Sequence, residues 1–160
     1  MPLDRHAMLE RNLDRQIAWI RASDAKITVL LPINTAMLAV LAAHLAQAHL
    51  APIHWGLAIA ASLPCLVSFT AAVMSVMPMR RQPGGSLLYF GDISRHEPKA
   101  FHERVRGLDE DAHLEDLADQ VHHSARLAQI KMGHARRSYY FLFAALPFWV
   151  AAIYLLNRPN

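Results

Sequence analysis

Charge is what this chain lacks over its longest stretches. No Asp, Glu, Lys or Arg occurs from Ile27 to Met79, a run of 53 residues, and none occurs from Ser138 to Asn157. Helices of soluble domains keep a wet face and so interleave charge with apolar residues. The absence therefore excludes ordinary packing in water for both stretches. Cysteine is almost absent as well. The lone Cys65 excludes a structural disulfide within one chain, and a buried apolar thiol is its ordinary role. No P-loop, nucleophile elbow or zinc signature occurs, and there are no internal repeats or low-complexity segments. The uncharged stretches hold no carboxylate, lysine or arginine, which counts against a proton-coupled transporter. Residues 1–26 are charged and helix-patterned, with no short apolar stretch ending in a small-residue cleavage site, and do not read as a secretory signal.

What is present divides sharply between two solvents. At 160 residues there is room for a single domain. A helix needs about 20 apolar residues to cross a hydrocarbon core of roughly 30 Å. The first uncharged run has length for two crossings, and the stretch from Ala48 to Trp55, with Pro52 and two histidines, predicts the turn between them. Crossings are expected over 27–46, 55–77 and 139–156. Arg136 and Arg137 bracket the third at one end and Arg158 at the other, and Tyr139-Tyr140 suits an aromatic belt. Segment 1–26 holds five Lys/Arg and segment 80–137 holds ten, against none between the first two crossings. The positive-inside rule then places the N-terminus and segment 80–137 in the cytoplasm. Acids nearly balance bases in both segments, four against five and nine against ten, which argues against a nucleic-acid-binding surface.

Leu9, Leu13, Ile17 and Ile20 recur at helical spacing, and no breaker separates them from the first crossing. Leu114, Leu117, Val121, Ala125 and Ala128 form a second stripe on a helix that runs toward the third crossing, interrupted only by Gly133. The expected fold is an all-α membrane protein with three transmembrane helices, two of them extended into a cytoplasmic helical stalk where the stripes pack together. Between them, Pro83-Gly84-Gly85-Ser86 reads as a hinge. A short helix is expected from Pro98 to Gly107, preceded by Ser94 or His96.

Several residues are candidates for function. Pro32, Pro64 and Pro147 each interrupt a crossing and with Gly84 and Gly85 are candidate hinges, although proline is tolerated in membrane helices. Asn34, Thr35, His44, Ser68, Thr70 and Ser75 are polar within crossings, where hydrogen bonding between helices is the expected role. Three crossings enclose no conduit, so a pore would need several copies. Arg21, Asp24 and Lys26 cluster where the first helix meets the bilayer, giving either interfacial snorkelling with a local ion pair or an anion site. Tyr89-Phe90-Gly91-Asp92 places two aromatics where water is expected; they can dock on a surface or stack on a flat base, with Asp92 accepting from its edge. Asp119, His122 and His123 suggest a metal, but adjacent histidines diverge by about 100° on a helix and no second helix supplies a matching Glu-x-x-His, so no metal is expected. From the residues alone, a non-enzymatic membrane adaptor recruiting a cytoplasmic partner through 80–137 is the alternative to a ligand-gated effector.

Arg21-Ala-Ser-Asp-Ala-Lys26 running into an apolar helix with Asn34, Leu87-Leu-Tyr-Phe-Gly-Asp-Ile-Ser94 after the second crossing, and a helix with Ser124 and Lys131 feeding a third together resemble the Pycsar transmembrane effector family. The resemblance covers about Arg15 to Leu156; it departs at Ala125, where the family's serine falls. It implies a bacterial antiphage effector of the inner membrane, multi-pass and without enzymatic site or cofactor. A cyclic pyrimidine nucleotide, cUMP or cCMP, would activate it, and the damaged membrane would kill the infected cell. Arg21, Asp24, Lys26, Tyr89, Phe90, Asp92 and Lys131 are the expected ligand contacts, and a homo-oligomer is the expected assembly.

Overall fold

The computed structural model describes residues 4–46, 52–77 and 85–157, and these are helical with no strand among them. Five helices follow one another: α1 (Arg5–Leu45), α2 (Pro52–Val76), α3 (Phe90–Ile93), α4 (Pro98–Arg106) and α5 (Glu110–Leu156). Three of them, α1, α2 and α5, are long and apolar enough to cross a membrane. Only 28%, 33% and 17% of their apolar windows are buried within the chain, so most of that surface needs lipid or another copy against it. The all-α class with three candidate spans is as the sequence indicates.

Local chemistry accounts for the helix ends. Asp4 caps α1, its Oδ1 accepting from the Ala7 N–H at 3.1 Å. Pro52 opens α2, where a missing N–H costs nothing and the fixed φ suits the first helical turn. Pro98 opens α4 in the same way, and the residue before it is Glu97 rather than Ser94 or His96. Gly107 ends α4, donating its N–H to the Glu103 carbonyl at 3.0 Å. Glu110 and Asp111 sit in the first turn of α5, where the helix dipole favours acids. Pro32, Pro64 and Pro147 lie inside α1, α2 and α5, each of which continues through its proline.

The chain divides into two compact units, one of Met1–Arg21 with Pro78–Gln129, the other of Ala22–Met77 with Ile130–Asn160. In the second unit the inward positions of α1 are Ser23, Ile27, Leu30, Asn34, Met37 and Leu41. Those of α2 include Ala58, Ala61, Cys65, Ser68, Ala72 and Ser75. On α5 they are Ala135, Ser138, Leu142, Ala145 and Ala152. Steps of three and four alternate along each stripe, with one step of seven on α5, a 3.5-residue repeat that keeps one seam facing its neighbours in a left-handed supercoil. Every inward residue of α2 is small, which lets backbones approach where burial of apolar surface gives no drive between helices in lipid. Asp24 meets Lys131, the Met37 carbonyl meets Trp149 and His44 meets Asn157, so α1 and α5 run in one direction within this unit. Ser68 meets Ser138 while Ser75 meets the Lys131 carbonyl, so α2 runs against α5. That alternation is what three successive crossings require.

Polar side chains in this bundle split into two groups. Ser68 donates to the Ser138 carbonyl at 2.8 Å, Ser75 to the Lys131 carbonyl at 3.2 Å, and His44 pairs with Asn157 at 3.2 Å. Asn34, Thr35 and Thr70 instead bond carbonyls four residues back on their own helices. Asn34 Oδ1 is buried with no hydrogen-bond partner among the described residues.

In the first unit, the amino ends of α1 and α5 meet at His6. Its ring stacks on His113 with centroids 5.5 Å apart, and its Nε2 lies 3.6 Å from Glu110.

Candidate functional site

The loop from Gly85 to Ile93 is an organised structure rather than a bare linker. Asp92 is 3% exposed, and its Oδ2 accepts from the N–H groups of Gly85 at 3.1 Å and Ser86 at 3.2 Å. Ser86 Oγ in turn accepts from the N–H groups of Leu88 and Tyr89 and from Gln120 Nε2 at 2.8 Å. Asp116 Oδ2 accepts the Leu87 N–H at 2.8 Å. Two residues of α5 thus hold the loop from outside and one aspartate holds it from inside. Gly85 has φ 125°, a region that a side chain disfavours. Replacing it by alanine is expected to cost about 1–2 kcal/mol, read as earlier thermal unfolding of the detergent-solubilised chain.

Gly91 has a different reason. A Cβ there would lie 2.6 Å from Cε1 of Tyr89, so a larger residue at 91 would push the Tyr89 ring from its place over the chain. Tyr89 and Phe90 contact each other at 4.9 Å with a 54° tilt, and Phe90 remains 76% exposed.

Beside this loop the first unit contains an open cavity of about 880 Å³. Its walls are residues 85–87 of the loop, the end of α4 with Arg104, Gly107 and Leu108, and one face of α5 that includes Asp119, His123 and Arg126. Arg104 Nη1 donates to His96 Nε2 at 2.8 Å. Arg126 makes no ion pair or hydrogen bond with any described residue.

The second unit holds a separate polar feature. Lys131 Nζ lies 2.6 Å from Asp24 Oδ1; the lysine side chain is 13% exposed and the aspartate 46%. A smaller cavity of about 480 Å³ adjoins the pair, lined otherwise by Ile27, Thr28, Leu31 and Val76. The lysine end is mostly shielded while the aspartate still meets water, so the pair belongs at the upper end of the range for surface bridges. A double-mutant cycle with Asp24→Asn and Lys131→Met is expected to give about 1 kcal/mol of coupling energy, measured by unfolding in detergent.

The residues singled out from the sequence are divided between the two units. Asp24, Lys26 and Lys131 belong to the second unit, and only Asp24 and Lys131 are in contact. Arg21, Tyr89, Phe90 and Asp92 belong to the first. Arg21 and Lys26 are exposed and have no ion-pair or hydrogen-bond partner among the described residues, whereas the Asp92 carboxylate is taken up by its own loop. Gly84, Arg80 and Arg81 lie outside the described residues. Sequence reasoning missed Ser86, Arg104, Asp116, Gln120 and Arg126. Ser86 carries a local signal, a serine followed at two and three residues by N–H groups it can cap. Asp116 and Gln120 carry none, because their partners lie 29 and 34 positions away.

Compared with known proteins, the chain matches the family model described as the Pycsar effector protein domain over residues 8–156. No curated protein and no solved structure matches it.

Proposed function

The chain belongs to the Pycsar effector family, and on that premise we propose how it acts as a membrane effector of antiphage defence. A cyclic pyrimidine nucleotide, cUMP or cCMP, made on infection, binds the part of the chain outside the bilayer. Several copies rearrange, the inner membrane loses integrity, and the infected cell dies before the phage matures. The observation that carries this reading is the family match extending across all three helices able to span a membrane.

Physical arguments support the remaining parts. The excess of Lys/Arg in 1–26 and 80–137 favours their retention in the cytoplasm, where the nucleotide is made. Three crossings in one chain enclose no pathway for ions, so damage requires more than one copy. The helix α5 runs unbroken from Glu110 to Leu156, and its backbone hydrogen bonds carry a displacement at one end toward the other. A nucleotide shifts the assembly only by as much as it binds one arrangement better than the other. No chemical step is assigned to the chain.

The test is expression in a bacterium alongside a pyrimidine cyclase under separate induction. Uptake of a membrane-impermeant dye is expected only when both are present. Dye exclusion with both present, at normal levels of the protein in the membrane, would contradict the proposal and favour an adaptor.

A further inference from the structure

We propose that the nucleotide is held in the cavity between residues 85–87, the end of α4 and α5, with the guanidinium groups of Arg104 and Arg126 on its phosphodiester. This deepens the reading above and rests on it. The size fits, because pockets for small ligands run from roughly 300 to 1,000 Å³ and this one is about 880 Å³.

The chemistry of the walls fits a particular kind of anion. Ala112, Glu115, Asp116, Asp119, His123 and Arg126 succeed one another on α5 at helical spacing, so a single polar face lines the cavity for four turns. That face lies beside the apolar stripe of Leu114, Leu117, Val121 and Ala128, which is committed to packing. Arg126 is unpaired and ready for an anion. Arg104 hydrogen-bonds His96 and forms no ion pair among the described residues.

Acids nevertheless outnumber arginines along the walls, since Asp109, Glu115, Asp116 and Asp119 face two guanidinium groups. A triphosphate would meet that excess as repulsion. A cyclic phosphodiester bears one negative charge and presents donors elsewhere, at the ribose 2′-hydroxyl and at the N–H groups of the base edge. Carboxylates accept from such donors. Asp119, one turn before His123, is placed for that role, while Asp116 is already bonded to the Leu87 N–H. The cavity therefore selects a cyclic mononucleotide over the nucleoside triphosphate from which it is made. That discrimination is needed in a cell where triphosphates are abundant.

The loop wall gives the site a fixed shape. Residues 85–87 are held by Asp92, Asp116 and Gln120, so the ligand meets backbone that is ordered before it arrives.

The experiment is calorimetric titration of the full chain in detergent with cyclic UMP, cyclic CMP and UTP. The wild-type chain is expected to bind at least one of the cyclic nucleotides and to bind UTP at least tenfold more weakly. Arg104→Ala with Arg126→Ala is expected to weaken cyclic-nucleotide binding at least tenfold, and Arg126→Lys alone to weaken it less than Arg126→Ala alone. Arg21→Ala with Lys26→Ala is expected to leave binding within twofold. A second readout does not depend on affinity loss. Cys65 is buried, so a maleimide reports an introduced thiol: Ala112→Cys, on the cavity wall, is expected to be protected by saturating nucleotide, and Ala118→Cys, exposed but not on the wall, is not. Wild-type binding that survives the Arg104/Arg126 pair, or that disappears with the Arg21/Lys26 pair, overturns this site and leaves the functional reading standing. Absence of cyclic-nucleotide binding by the wild-type chain overturns both.

Discussion

Asp92→Ala is expected to destabilise the 85–93 loop by about 3 kcal/mol, because it deprives two backbone donors of a charged acceptor. The carboxylate is buried and accepts from Gly85 and Ser86 at 3.1 and 3.2 Å. Hydrogen bonds to charged groups contribute roughly 1.5–3 kcal/mol each, and a freed buried donor carries its own desolvation cost. The Arg95 guanidinium, 3.5 Å away and half exposed, adds little. Asp92→Asn keeps one acceptor oxygen and should lose about half as much, while Arg95→Ala should be near neutral. Hydrogen exchange is the suitable measurement, since the damage is local: amides of 85–89 should exchange much faster in Asp92→Ala, with those of α2 unchanged. Unchanged exchange at 85–89 would show that Ser86, Asp116 and Gln120 suffice to hold the loop.

Ser138→Leu is expected to be more damaging to the chain as a whole. Ser68 and Ser138 are fully buried, with Ser68 Oγ 2.8 Å from the Ser138 carbonyl and 3.0 Å from its Oγ. Contact at that distance leaves no volume for a larger side chain. Overpacking alone costs about 1–3 kcal/mol, and spreading the helices removes interhelix hydrogen bonds of roughly 0.6–2 kcal/mol each. A loss above 3 kcal/mol is expected, visible as poor accumulation in the membrane and a lower melting temperature in detergent. Ser138→Ala supplies the contrast. It keeps the carbonyl that accepts from Ser68 and removes only the hydroxyl pair, so a loss below about 1 kcal/mol is expected.

The parts of this structure that were legible in the sequence are those set by one helix at a time. The absence of charge from Ile27 to Met79 announces two spans because lipid tolerates no other pattern of that length. Leu9, Leu13, Ile17 and Ile20 begin a spacing of fours and threes that Ser23, Ile27 and Leu30 continue, which explains why α1 has no break where solvent changes. What depends on meetings between helices was not legible. Asp24 and Lys131 both stood out as polar residues near a span, yet nothing in the sequence pairs them across 107 positions. Ser68 and Ser138 are likewise joined only by the bundle. Asp92 was misleading for a local reason: an acid after two aromatics looks free to meet a ligand, but Gly85 and Ser86 were already within its reach through a turn. Pro52 lies at the break expected there, as the first residue of α2.

The central claim is that this chain, by itself, turns a cyclic pyrimidine signal into loss of a membrane barrier. The most direct measurement uses the purified protein reconstituted in vesicles loaded with a self-quenched dye, with insertion checked by flotation. Addition of cyclic UMP or cyclic CMP is expected to release the dye, and cyclic AMP is not. Vesicles that carry inserted protein and stay sealed with both pyrimidine nucleotides would contradict the account.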